Sequence, residues 1–265
     1  MNTMDTSEMH KSLDEIPAEK LAATTDLMTS FSAPTSRRRM LLGAAAGVAG
    51  TAVAGVAATA LLQARAAHAE TASGGSTLTE YFSILATGEA LFVTFYSYAI
   101  ASYAKLGIHG NALNALEAIR AEEQIHLNFA LANGGVPATT HFSMPHGEAT
   151  FEDRDLFLQT QQLGEDLTNG ALVAWIKDMA TMNHPRLAQI GGQLMQVEGG
   201  HRVVGRVIMN AEPWDNWGFG PVVLSSFLQV PAAVKAAGFL SPKPGNDFKY
   251  HPTSASFPGL INTKP

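Results

Sequence analysis

The stretch Glu117–Gly135, "EAIRAEEQIHLNFALANGG", decides how the chain is read. Glu122, Glu123 and His126 sit among Ala, Leu and Ile in a run with helical periodicity. Glu123 and His126 are three residues apart, so a helix places both on one face, side by side. Either that face meets solvent or the pair points inward to hold something. The stretch alone leaves both readings open, and the other helical segments supply the context.

Four long segments follow the same pattern. Thr77-x-x-Glu80 has the form of a capping box, and an amphipathic run continues to the stop Lys105-Leu-Gly107. A second helix opens near Asn111 or Asn114 and ends before Asn133-Gly-Gly-Val-Pro137. Residues 133–150 read as a long loop. Thr150-x-x-Asp153 is expected to start a third helix reaching about Met182. His184-Pro185 opens a fourth, with Pro in its first turn, running to about Met209. From Glu212 on the chain is turn-rich, with one short helical piece at Val230–Ala237. No sustained period-2 alternation appears after residue 70. The fold class expected is all-α, an antiparallel four-helix bundle over 70–211 with a turn-rich C-terminal extension over 212–265 packing on it.

Each helix carries an acid in the middle of an apolar stripe. Phe82, Leu85, Val93, Tyr96 and Ile100 share the face of Glu89; Leu116, Ile119 and Ala130 bracket Glu123. Leu158, Leu172 and Met179 share a seven-residue ladder with Glu165, while Ile190, Leu194 and Ile208 flank Glu198. His201 follows Glu198 by three residues, as His126 follows Glu123. Glu89 to Glu123 is a step of 34 and Glu165 to Glu198 a step of 33. Equal intervals put the acids of both helix pairs at one height. Two helices giving a single Glu and two giving Glu-x-x-His is the ligand arrangement of dinuclear carboxylate sites in ferritin-like bundles. Four buried carboxylates repel one another, and two divalent cations balance them in formal charge, with neutral imidazoles completing the coordination. Without metal the acids are expected to take up protons, so metal loading should stabilise the fold and release protons.

Composition narrows the rest. The chain has 265 residues, 46% of them hydrophobic, a formal net charge of −6 and no Cys. Thiolate metal sites, disulfides and a Cys nucleophile are excluded, so a metal here is held by His and oxygen ligands. No long basic run follows the first forty residues, which argues against nucleic acid as a partner. There is no Gly-rich phosphate loop and no G-x-S-x-G. Residues 1–35 are polar with little apolar periodicity, an expected disordered N-terminal region. Then come Ser36-Arg37-Arg38, an Ala/Gly-rich apolar stretch from Met40 to Leu62, and Ala67-His68-Ala69. This resembles a twin-arginine export signal over 1–69, with cleavage between Ala69 and Glu70 and a periplasmic or otherwise exported product. No membrane association is expected after cleavage. The stretch is long enough to be retained as an anchor, but Ala and Gly make it weakly hydrophobic.

The segments "ILATGEALFVTFY" (84–96), "AEEQIHLNFA" (121–130), "LGEDLTNGALVAW" (163–175) and "QLMQVEGGHRVV" (193–204) resemble the ferritin-like superfamily. Within it they are similar to an exported group related to plant desiccation-related proteins, as is the tail "NWGFGPVVLSSFLQVPAAVKAAGFL". The resemblance spans roughly Ser76 to Leu240. It implies a ferritin-like fold with Glu89, Glu123, His126, Glu165, Glu198 and His201 as metal ligands. Glu123 or Glu198, or both, would bridge two iron or manganese ions. The stretch after Glu165 departs from the family pattern, which leaves Asp166 as a rival ligand. Gly199-Gly200, following Glu198, weakens the helix by about 1 kcal/mol each, for close packing, for room for a ligand, or by drift without a role.

Tyr96, two turns from Glu89, either fills the interior or hydrogen-bonds a ligand and supplies an electron, a candidate catalytic residue. Glu122 reads as solvent-facing or as a support behind the ligands. His109, His141, His146, His184 and His251 read as surface residues, with His141, His146 and Glu148 a weak loop cluster. Trp214 and Trp217 are expected to pack the tail or an interface, and the tail also suits a homodimer contact. The leading expectation is redox chemistry with dioxygen or hydrogen peroxide, of ferroxidase, peroxidase or catalase type. The alternative is a non-enzymatic, stress-related scaffold with the same fold. An iron-storage shell fits poorly with the long middle loop and extended tail.

Overall fold

The computed structural model describes residues 77–265; the export signal and cleavage site read from the sequence lie outside the described residues. The described chain is all-α apart from one two-residue strand pair. Its elements are α1 (Leu78–Ala101), α2 (Asn111–Ala132), β1 (His141–Phe142), a 3₁₀ turn (Gly147–Phe151), α3 (Arg154–Thr181), α4 (Pro185–Ile208), a second 3₁₀ turn (Phe227–Gln229), α5 (Val230–Ala236) and β2 (Phe248–Lys249).

The helix ends follow local chemistry. Thr77 caps α1 by accepting from the Glu80 amide at 3.4 Å. Helix α1 stops at Ala101, earlier than the Lys105–Gly107 signal, and residues 102–107 continue as turns to Gly107. Helix α2 starts from Gly110, so Asn114 lies inside it rather than capping it. The expected cap at Thr150 is likewise corrected. Thr150 is buried within the 3₁₀ turn, and Asp153 caps α3 instead, its carboxylate accepting from the amides of Asp155 and Leu156 at 2.8 and 3.0 Å. Pro185 takes the first turn of α4, where its missing N–H goes unneeded.

Consecutive helices pack as partners, α1 along α2 and α3 along α4, and α2 also meets α4. Small residues set how closely α3 and α4 approach. A Cβ on Gly191 would stand 2.4 Å from Trp175 Cδ1, and one on Gly205 would run into the Gln161 amide. Trp175, fully buried, donates its indole N–H to the Leu187 carbonyl at 2.9 Å. Around it Tyr81, Phe82 and Phe227 pack edge-on, with centroids 5.0–6.0 Å away. Helix α1 is long and apolar enough to cross a membrane, but most of it is buried against the rest of the molecule, as a core helix must be.

The C-terminal extension lies on the helices. Strands β1 and β2 pair antiparallel, His141 opposite Lys249 and Phe142 opposite Phe248. Asn246 brackets Met144, accepting from its amide and donating to its carbonyl. Tyr250 and the Thr253 amide both donate to Gln124 on α2. The strongest tie is Asp178 on α3, buried and accepting at one oxygen from the Tyr81 hydroxyl (3.2 Å), the Ser226 hydroxyl (2.7 Å) and the Phe227 amide (2.8 Å). Replacing it leaves buried donors on α1 and on the extension without an acceptor. Asp178→Ala is expected to destabilise the chain by about 2–4 kcal/mol, read as a lower urea midpoint; a change under 1 kcal/mol would mean that the extension is held by its other contacts and not by Asp178.

Candidate metal centre

Each of the four long helices delivers one acid to a common interior. Glu89 comes from α1, Glu123 and His126 from α2, Glu165 from α3, and Glu198 and His201 from α4. All six are buried: Glu123, Glu165 and Glu198 are 0% exposed, and His126, the most accessible, 6%. The structure brings together Glu89, Glu123, His126, Glu165, Glu198 and His201, and leaves out the rival Asp166.

The donor atoms fall into two overlapping groups. Ligand atoms of Glu89, Glu123, His126 and Glu198 lie within 4.8 Å of one another, and so do those of Glu123, Glu165, Glu198 and His201. Glu123 and Glu198 belong to both. His126 Nδ1 stands 2.9 Å from Glu198 Oε1, 3.7 Å from Glu89 Oε2 and 3.8 Å from Glu123 Oε2. His201 Nδ1 stands 3.1 Å from Glu198 Oε2 and 3.2 Å from Glu123 Oε1.

Most of these atoms lack hydrogen-bond partners. Glu89 Oε2, both oxygens of Glu123, His126 Nδ1, Glu165 Oε2 and Glu198 Oε1 are buried and unpaired. The short approach of His126 to Glu198 lacks the alignment of a hydrogen bond, so proximity there is not pairing. Orphaned buried acceptors are costly and rare in a folded interior. Here they converge, and a carboxylate–imidazole donor set of this kind fits a divalent cation. The cluster can bind metal.

Compared with family models, curated proteins and solved structures, the chain finds no match. Its site therefore rests on its own geometry.

A surrounding layer fixes the donors. His201 Nε2 lies 2.8 Å from Glu122 Oε2, so a proton held at Nε2 leaves Nδ1 turned toward Glu123 and Glu198. Glu122, with 28% of its side chain exposed, therefore sits at the edge of the cluster in contact with His201. Tyr96 donates its hydroxyl hydrogen to Glu165 Oε1 and accepts from Gln161 Nε2 at 3.2 Å. Gln161 also donates to the His201 carbonyl at 2.9 Å, joining Tyr96 to α4. Asn169 donates to the Glu165 carbonyl at 2.8 Å. Gln161 was not a sequence candidate, although it lies four residues before Glu165 and so on the same helix face.

Asp166 faces the other way. It accepts from Arg202 Nε at 2.8 Å and keeps 39% of its side chain exposed, so Glu165 is the α3 member of the cluster. The Arg202 guanidinium stacks 3.6 Å over Trp217, which packs the tail as expected. His109, His141, His146 and His251 are exposed and His184 is half-buried; His141 pairs with Asp247 at 2.9 Å rather than joining His146 and Glu148.

Ionisation in the metal-free cluster follows from burial. Desolvation pushes Glu89 and Glu165 well above the ordinary carboxylate value. Burial works against charge on His126 and His201, but the surrounding carboxylates outweigh it and raise both well above 6.5. Glu198 is lowered, because His201 and His126 overcome its desolvation. Desolvation, then the charge of Glu165, raises Tyr96 and keeps its hydroxyl protonated.

These directions fix a pH profile. Glu89 and Glu165 hold protons that the unfolded chain has lost, so the stability they supply drains away as pH rises from 4.5 through their folded values. The contribution of His126 and His201 is complete below 6.5 and disappears above it. That of Glu198 is present above 4.5 and disappears as pH falls. The chelated protein is therefore expected to be most stable near pH 4.5, with its urea midpoint falling as pH rises and falling faster above 6.5. A midpoint that instead rises between those values would contradict the buried cluster.

Proposed function

We propose that the protein is an exported, dinuclear-metal redox protein of ferritin-like type, an antiparallel four-helix bundle that reacts with dioxygen or hydrogen peroxide. The observation that carries this reading is the double membership of Glu123 and Glu198, each of which belongs to both donor groups. Were two metal ions bound, Glu123 and Glu198 would be shared between them, Glu89 and His126 would hold one and Glu165 and His201 the other. Four carboxylates balance two divalent ions, and His and Glu donors suit iron or manganese. Bound iron or manganese supplies a couple between the +2 and +3 states.

The chain's own residues do the rest. Glu122 holds His201 with Nδ1 facing the cluster. Tyr96 holds a proton against Glu165 and is the one aromatic hydroxyl bonded to a ligand among the described residues, the position from which it would give a proton and an electron. Gln161 fixes that hydroxyl. The twin-arginine signal, read from the sequence alone, supports export.

A second reading is a non-enzymatic, stress-related scaffold with the same fold. It is favoured by the approaches of His126 and His201 to Glu198 and Glu123 at 2.9–3.2 Å, through which protonated imidazoles neutralise the carboxylates without metal. Elemental analysis separates the two. About two iron or manganese ions per chain are expected, and none in a Glu123→Ala/Glu198→Ala variant that removes both bridges. No metal in either protein after anaerobic iron(II) addition would leave the scaffold.

The support from Glu122 is tested separately. Glu122→Leu is expected to weaken metal binding about 10–100-fold, measured by competition with a chelator, while Glu122→Gln, which keeps an acceptor for the His201 proton, loses less. Equal affinity in Glu122→Leu and the parent chain would show that His201 is oriented by packing alone.

A further inference from the structure

An open groove of about 530 Å³ lies where α3, α4 and the extension meet. That volume falls within the range of about 300–1,000 Å³ typical of small-molecule sites. Gly199 and Gly200 of α4, the pair between Glu198 and His201, both line it. Close packing does not explain them. A Cβ on Gly200 would meet nothing within 4 Å, and one on Gly199 only Asn169 Oδ1, at an ordinary 3.7 Å. Gly191 and Gly205 of the same helix are packed tight, so the pair differs in leaving space.

Asn169 brings an unused acceptor to this space. It lines the groove from α3 and is only 6% exposed. Its Nδ2 donates to the Glu165 carbonyl at 2.8 Å, which fixes the orientation of the amide, because a carbonyl can only accept. Its Oδ1 accepts from no described residue and faces the position that a Gly199 side chain would fill. A buried carbonyl oxygen calls for a donor, and the protein supplies none.

The other lining residues narrow what can bring that donor. Arg202 is the one cation among them, and it is spent: it is 4% exposed, donates to Asp166 and Asn216, and stacks on Trp217. Asp215 is exposed and adds a negative charge at the rim. Anions are therefore disfavoured. Val173, Met195, Val203 and the indole of Trp217 give the groove an apolar body. That indole is held in place by the Arg202 guanidinium 3.6 Å over its ring, so the wall is formed in advance.

We infer that this groove is a binding site for a small uncharged aromatic molecule bearing a hydroxyl, of the phenol class. The ring lies among Trp217, Met195 and the valines, over the bare backbone of Gly199-Gly200, and the hydroxyl donates to Asn169 Oδ1. The site goes beyond the dinuclear reading and does not rest on it. It stands next to the cluster, one side chain from the Glu165 backbone, without using any cluster donor.

The experiment follows amide and indole resonances of the full chain, with metal removed by chelation, during titration with phenol, anisole and benzoate. Phenol is expected to shift the Trp217 indole N–H and the Asn169 side-chain amide saturably, leaving the buried Trp175 indole in place. Anisole, which keeps the ring and loses the donor, should bind roughly 2–10-fold more weakly. Benzoate should not saturate. In Asn169→Leu, phenol and anisole should bind alike. Gly200→Leu fills the groove with a better helix former and should abolish both shifts; Gly199→Leu serves if that variant fails to fold. No saturable phenol shift would mean that the groove holds solvent only and would overturn the proposal. So would anisole or benzoate matching phenol in the parent chain, or shifts that persist in the filled variants. None of these results depends on bound metal, so elemental analysis alone judges the dinuclear reading.

Discussion

Four carboxylates inside one apolar interior are the constraint on which this molecule turns. An isolated ionised carboxylate taken out of water costs several kcal/mol even after relaxation, and four together repel one another as well. The fold tolerates them because they meet: Glu89, Glu123, Glu165 and Glu198 share one small volume with two imidazoles. Neutralisation can then come from metal, from protonated His126 and His201, or from protons retained on Glu89 and Glu165. Each route requires the four helices to hold the same register. A shift of α4 by one residue would turn Glu198 about 100° away from the cluster and leave its partners as buried, unpaired charge.

That register is held from outside the cluster. Gly191 lets α4 lie against Trp175, and Gly205 makes room for the Gln161 amide, so α3 and α4 close to a fixed distance. At the far side Asp178 gathers Tyr81 of α1 and the Ser226–Phe227 turn onto α3. The same turn carries Phe227 to a pocket that Glu89 also lines.

What the sequence made legible was what helical periodicity encodes. The steps of 34 and 33 and the two Glu-x-x-His pairs identified all six cluster residues, because side chains three or four apart must share a face. What it left open depended on partners distant in the chain. Glu165 and Asp166 are adjacent, and the choice between them is made by Arg202, 36 residues on, which takes Asp166 outward. The role of Glu122 is made by His201 on another helix, and that of Tyr96 by Gln161 and Glu165 on α3. Thr150 had the spacing of a cap and lost the place to Asp153. Its neighbour Phe151 packs on Phe95 and Phe248, so the chain is pulled into the core before the helix begins.

The glycine pair after Glu198 shows how far tertiary contacts carry local structure here. Gly199 and Gly200 sit between the two α4 cluster residues, Glu198 and His201, and weaken that turn by about 1 kcal/mol each relative to Ala. The turn is helical nonetheless. Its carbonyls at His201 and Arg202 each accept an additional hydrogen bond at 2.9 Å, from the Gln161 and Gln162 amides of α3. Arg202 is in turn anchored by Asp166, Asn216 and the face of Trp217. These contacts offset what the glycines forgo, and they do so on His201 itself and its neighbour Arg202. The α4 half of the cluster is thus placed by α3 and the extension more than by the helix's own propensity, so its geometry is a property of the assembled fold.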